Sequence, residues 1–245
     1  MTVEQSLLTS NFSNTDATSY NTASHTPTGN RLVLAAVLNS KAVDVTLPTM
    51  AGNGITWVQL ATVTFGTIAS PDHRLTLFHG MVASPSAGVT TIDFAAAEQT
   101  ACVWIISEFS GIDTSGTNGS GAVVQSATNN GDGVTNADGL TVTLAAFGSA
   151  ANATFGAFAL RSTGSIAEGT GFTEIAEATP TSPTQDLQTE WRVDNDTSVN
   201  AFPSATRDMG GIAIEIKAAA AGVTTEYVAP TTQQLSGGMI GTVNQ

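Results

Sequence analysis

The chain has 245 residues, with 20 acidic and 7 basic side chains and a formal charge of −13. Charged residues make up 11% and hydrophobic ones 41%, which excludes a charged helical bundle and argues against binding nucleic acid through its phosphates. A chain this long buries about 70% of its unfolded surface, so it needs neither disulfide nor metal to fold.

The start, Met1-Thr2-Val3-Glu4-Gln5, has no basic region and no long apolar stretch, so no secretory signal is expected. No run reaches the ~18 apolar residues of a membrane span. Residues 1–27 read as an N-terminal strand or arm. From there the apolar pattern has period two, in short runs separated by Gly, Asn, Asp, Ser and Pro. It predicts strands over residues 31–39, 55–65, 74–82, 88–94, 101–109, 122–126, 140–144, 153–160, 172–178, 186–193 and 211–217. The run Leu140-Thr141-Val142-Thr143-Leu144 alternates apolar and Thr, as a half-buried strand does. Ala51-Gly52-Asn53-Gly54, Ser84-Pro85-Ser86-Ala87-Gly88 and Asn129-Asn130-Gly131-Asp132-Gly133 read as turns, because Asn and Gly tolerate positive φ.

About eleven short strands without helices predict an all-β fold: an antiparallel β-sandwich, jelly-roll-like, over residues 28–221. Trp104, Phe109, Phe155, Phe158, Trp191, Ile212, Ile214 and Ile216 are the expected core between two sheets. No repeat of 20–50 residues stands out. Residues 222–245 change character and read as an extended C-terminal tail. Tyr227, Val228 and Leu235 cannot be buried by that segment alone, so they, with Met239 and Ile240, are the expected partner-binding residues.

Candidate chemistry is sparse. The single cysteine, Cys102, lies in an apolar run and reads as a small core residue. His73 and His79 are six apart on one candidate strand, about 20 Å, too far to share an ion, and His25 stands alone. Glu108, Glu190 and Glu215 lie in or beside strands and would suit glycoside hydrolysis only if two converged; alone, they read as wet-face positions or hydrogen-bond anchors. Asn130, Asp132, Asn136 and Asp138, and separately Asp194-Asn195-Asp196, offer oxygens for calcium, although Asx turns explain both clusters. Trp57, Trp104 and Trp191 could stack on sugars, with Trp104 and Trp191 reading as core. No serine-nucleophile elbow and no phosphate-cradling glycine pattern is present. No catalytic, metal or cofactor residue is expected.

Two strings carry a resemblance: Trp104-Ile105-Ile106-Ser107-Glu108-Phe109-Ser110-Gly111-Ile112-Asp113-Thr114-Ser115-Gly116 and Gly210-Gly211-Ile212-Ala213-Ile214-Glu215-Ile216-Lys217. In them, and in pattern over residues 28–219, the chain resembles β-sandwich virion structural proteins of tailed bacteriophages and prophages. The resemblance implies a non-enzymatic virion protein made in the host cytoplasm, a capsid decoration or head-fibre component. Its partners would be the major capsid protein or fibre subunits, and it would be a homo-oligomer, a trimer favoured, with no nucleic acid and no membrane as partner. The alternative is a carbohydrate-binding receptor module of a tail fibre or baseplate.

Overall fold

Continuous apolar runs, as over residues 32–38 and 101–106, and runs alternating with Thr, as over residues 140–144, set the strands. The computed structural model describes residues 2–43, 45–66, 72–162 and 164–220. Tyr227, Val228, Leu235, Met239 and Ile240 lie outside those residues. In the first half the strands are β1 (Glu4–Ser13), β2 (Ser19–Asn21), β3 (Leu32–Ser40), β4 (Thr49–Gly52), β5 (Val58–Phe65), β6 (His73–Gly80), β7 (Thr90–Asp93) and β8 (Ala101–Ser110). A short 3-10 turn at Ser120–Ala122 leads into the second half. There follow β9 (Val123–Val134), β10 (Leu140–Thr143), β11 (Ala153–Arg161), β12 (Ile166–Ala167), β13 (Thr173–Ala178), β14 (Gln185–Arg192), β15 (Ser198–Pro203) and β16 (Arg207–Ile216). All sheet pairings are antiparallel.

The halves repeat each other. The first forms a large sheet ordered β1-β8-β3-β6-β5 and a small one ordered β2-β7-β4. The second forms β9-β16-β11-β14-β13 and β10-β15-β12, the same order with eight added to each strand number. Even the bulges correspond: β5 slips between Gln59 and Ala61, and β13 slips between Glu174 and Ala176 at the equivalent place. The two large sheets pack face to face, β1 over β13 and β5 over β9. That reversal of order is what a pseudo-twofold axis produces when it runs between the sheets along the strands.

The sandwich therefore has four layers, three-five-five-three strands, not the two expected. Strand order β1-β8-β3-β6 with β2-β7-β4 is what a jelly-roll winding gives. The departure is β5, which hydrogen-bonds to β6 in the large sheet instead of joining β4. Three cores result. Phe109, Phe155, Ile212, Ile214 and Ile216 fill the central one between the large sheets, with Trp191 at its margin. Trp104 belongs to a second core under the small sheet β2-β7-β4, and Phe158 to a third under β10-β15-β12. The single core expected for these residues is thus divided, because both faces of each large sheet are covered.

All eleven expected strands form. The turn expected at Asn129-Asn130-Gly131-Asp132-Gly133 does not: these residues continue β9. As an edge strand β9 bonds one neighbour, and a bulge against β16 between Gly131 and Val134 absorbs the irregular residues, with Gly133 at φ 63°; a second bulge lies at the start of the strand, between Val123 and Gln125.

Candidate functional site

Glu108 and Glu215 occupy equivalent places. Glu108 on β8 stands opposite Val33 on β3, and Glu215 on β16 opposite Thr154 on β11. Two residues before each of those partners comes the donor that holds the acid. Arg31 donates to Glu108 at 2.9 Å, and Asn152 donates to Glu215 at 2.6 Å. Glu108 also accepts the Thr28 amide at 2.7 Å and the Thr28 hydroxyl at 2.9 Å. The other oxygen of Glu215 accepts Gln125 Nε2 at 2.6 Å, while Asn152 Oδ1 accepts the Ala218 amide at 3.1 Å. Both acids are buried, and each ties the entry of one strand to the end of another. They are clamps.

The three acids do not converge. Glu108 turns to the outer face of the first large sheet and Glu215 to the outer face of the second, with two sheets about 10 Å apart between them. Glu190 shares a face with Glu215, but β11 separates their strands, so they lie at least about 10 Å apart laterally and are offset along the strands. The expected wet-face reading of Glu190 is also overturned. Asp186, Gln188 and Glu190 alternate with Leu187 and Thr189, yet both faces of β14 are buried because the small sheet covers the polar one. Glu190 Oε2 accepts the Gly169 amide at 2.9 Å, and Asp186 Oδ1 accepts the Thr179 hydroxyl at 2.9 Å. Burial pushes the Glu190 carboxyl up to about 8; burial, then the neighbouring Glu177 carboxyl, push Asp186 far above the carboxylate range.

At one end of the pseudo-twofold axis both halves line a cleft of about 620 Å³. Asp72 and His73 come from the first half; Arg161, Ser162, Pro183, Thr184, Arg207 and Asp208 come from the second. Asp72 Oδ1 takes His73 Nδ1 at 2.8 Å and Oδ2 takes Arg161 Nε at 2.9 Å, while Arg161 reaches Asp208 at 3.5 Å. Burial opposes ionisation of Asp72, but His73 and Arg161 outweigh it and hold the carboxyl below its ordinary value. His73 Nε2 is shielded and meets no partner among the described residues. The Nδ1 contact to Asp72 braces the junction. Sequence spacing could not have shown this network: Asp208 lies 47 residues from Arg161 and meets it by pairing of β11 with β16, and Asp72 lies 89 residues away and meets it only when the halves pack.

The remaining candidates are dispersed. His25 sits between the small-sheet strands, its amide on Gly88 O at 2.9 Å, and His79 lies on β6 facing the central core, where burial lowers its pKa. Cys102 is fully buried, and burial raises its thiol pKa far above the usual range. Asp138 and Thr135 close a turn at 2.6 Å, and Asn136 holds Pro203 O at 3.0 Å. Asp194 and Asp196 both grip Arg192, whose guanidinium lies 5.5 Å from the Phe172 ring centroid. Among the described residues no group of three His, Cys, Asp or Glu is arranged to hold a metal ion. Trp104 and Trp191 pack inward as expected, and Trp57 is half-buried against the second core. No described helix is long and apolar enough to cross a membrane.

No protein-family pattern, no curated protein and no solved structure matches the chain.

Proposed function

We propose that the chain is a non-enzymatic structural protein of a bacteriophage virion, a capsid decoration or head-fibre component that works by packing on the shell or on sister subunits. The observation that carries the structural reading is the use made of Glu108 and Glu215. Strand acids that could have served chemistry are instead coordinated at equivalent places to stiffen two fused sandwiches. Two further features support it. Both strings that resemble phage virion proteins fall on equivalent strands, β8 and β16, so the likeness belongs to a repeated building unit. The double sandwich also leaves four long sheet edges, β1, β5, β9 and β13, and edges are surfaces through which assembled β-proteins meet neighbours.

The test is location. Phage particles released by cells carrying this gene are purified by density gradient and analysed by mass spectrometry and immunogold labelling. The proposal expects the chain in intact particles at a stoichiometric multiple of the symmetry, labelled on the head. Its absence from purified particles, with ample amounts in the lysate, would falsify the virion reading. A glycan array on the purified protein separates the receptor module: strong selective glycan binding with tail labelling would replace decoration by carbohydrate recognition.

A further inference from the structure

Exposed sheet edges offer unpaired N–H and C=O groups, and folded proteins normally guard them with charge, proline, bulges or cover. The four edges of the large sheets differ in this respect. β13 carries Glu174 and Glu177. β9 carries Asp132 and two bulges, and its Asn130 side chain caps Thr64 O of β5 at 3.1 Å. β5 carries no charge and no proline, but has one bulge and takes the Asn130 cap. β1 bonds only to β8, has one bulge and no proline, and its one charge, Glu4, is at its first residue. Residues 5–15 carry no charge in a chain whose total is −13. Copies of an acidic protein repel each other, so the uncharged edge is where they can approach.

The apolar residues on β1 are also self-complementary. Leu7 and Phe12 are 44% and 36% exposed. Five residues apart, they would point to opposite faces of a regular strand. The bulge between Leu7 and Thr9 changes that: Leu7 stands opposite Ser107 and Phe12 opposite Val103, on one face. We infer that β1 pairs antiparallel with β1 of a second copy of this chain, about a twofold axis at Ser10, the bulge residue Leu8 being the extra residue on each strand. Leu7 then lies opposite Phe12 of the partner subunit, and Phe12 opposite Leu7 of the partner subunit. Each contact occurs twice, as an isologous interface requires, and the two five-stranded sheets become one of ten strands. The dimer goes beyond the virion reading and needs only purified protein to examine.

Analytical ultracentrifugation of the full chain tests it with two variants. The wild type is expected to sediment as a dimer at tens of micromolar. Leu7→Lys with Phe12→Lys sets like charges opposite each other and should weaken the dimer by about tenfold or more. Leu7→Lys with Phe12→Glu sets opposite charges across the same register and should restore it. Both positions are exposed in the monomer, so circular-dichroism melting should show all three proteins folded. A wild type that is monomeric or trimeric throughout, unchanged association of the double-lysine protein, or failure of the charge-swapped protein to regain the dimer would each overturn the pairing. None of these outcomes bears on whether the chain is found in a virion.

Discussion

Asp186 and Glu190 carry the clearest electrostatic strain at the level of single residues. Their donors are neutral: the Thr179 hydroxyl for one, the Gly169 amide and Gln188 Nε2 for the other. Asp186 Oδ2 and Glu190 Oε1 are buried without a hydrogen-bond partner among the described residues. The acids around them, Glu177 beside Asp186 and Glu168 and Asp196 beside Glu190, add negative charge. A carboxyl in this setting binds its proton more tightly folded than unfolded, where Asp and Glu titrate near about 4. The native state therefore holds more protons above pH ~4, and stability falls as pH rises towards the folded value, which for Glu190 is about 8. Urea midpoints at pH 5, 7 and 9 should drop for the wild type and change far less for Asp186→Asn with Glu190→Gln. Equal slopes in the two proteins would show that neither carboxyl stays protonated. Asp72 behaves oppositely. Its lowered pKa contributes stability above the ordinary carboxylate range, and that contribution is lost as pH falls through its folded value.

At the scale of elements, β8 and β16 organise their halves in the same way with different residues. Trp104 on β8 stands opposite Val37 on β3; at the equivalent place, Gly211 on β16 stands opposite Phe158 on β11. The large residue has crossed to the other strand while the pair still fills its site. A Cβ on Gly211 would lie 2.8 Å from Phe158 and 2.9 Å from Val142, so Gly211→Ala should cost about 1–3 kcal/mol in chemical denaturation. No loss of stability would mean Phe158 has room to turn aside. The Glu108 clamp makes a second element-level prediction. Glu108→Ala leaves Thr28 and the partly exposed Arg31 without their acceptor, and should cost about 3 kcal/mol. Hydrogen exchange near residues 28–31 should rise; an unchanged rate there would contradict the clamp.

For the whole molecule, the central core belongs to both halves. Leu32, Leu34, Leu38 and Phe109 of the first pack with Phe155, Leu187, Ile212 and Ile214 of the second. Neither half covers the inner face of its own large sheet. The full chain should thus unfold in one transition, its calorimetric and van't Hoff enthalpies agreeing. Residues 2–113 expressed alone should pair with themselves through that face or aggregate, which light scattering would show. A stable, monomeric half, or two separate transitions in the full chain, would contradict a shared core.

Sequence by itself determined the strands, because a strand is a local matter: period-two patterning and turn residues are read along the chain. The eleven segments it indicated all form, and Trp104, Trp191 and Cys102 pack inward as their neighbours imply. β2, β4 and β12 were not legible, being too brief to show a period; nor was β15, where Asn200 and Pro203 read as loop residues, nor β9 beyond Ser126, where Asn and Gly resemble a turn. Which face of a strand meets solvent was decided by tertiary structure. Asp186, Gln188 and Glu190 have the pattern of a wet face and are buried because β12 and β15 lie over them. The repeat was hidden for a related reason. Packing constrains the volume shared by facing residues, not the identity of either, so Trp104 with Val37 and Gly211 with Phe158 satisfy one requirement with unlike sequences. Only the fold, by setting those pairs in register, shows that the two halves are the same structure.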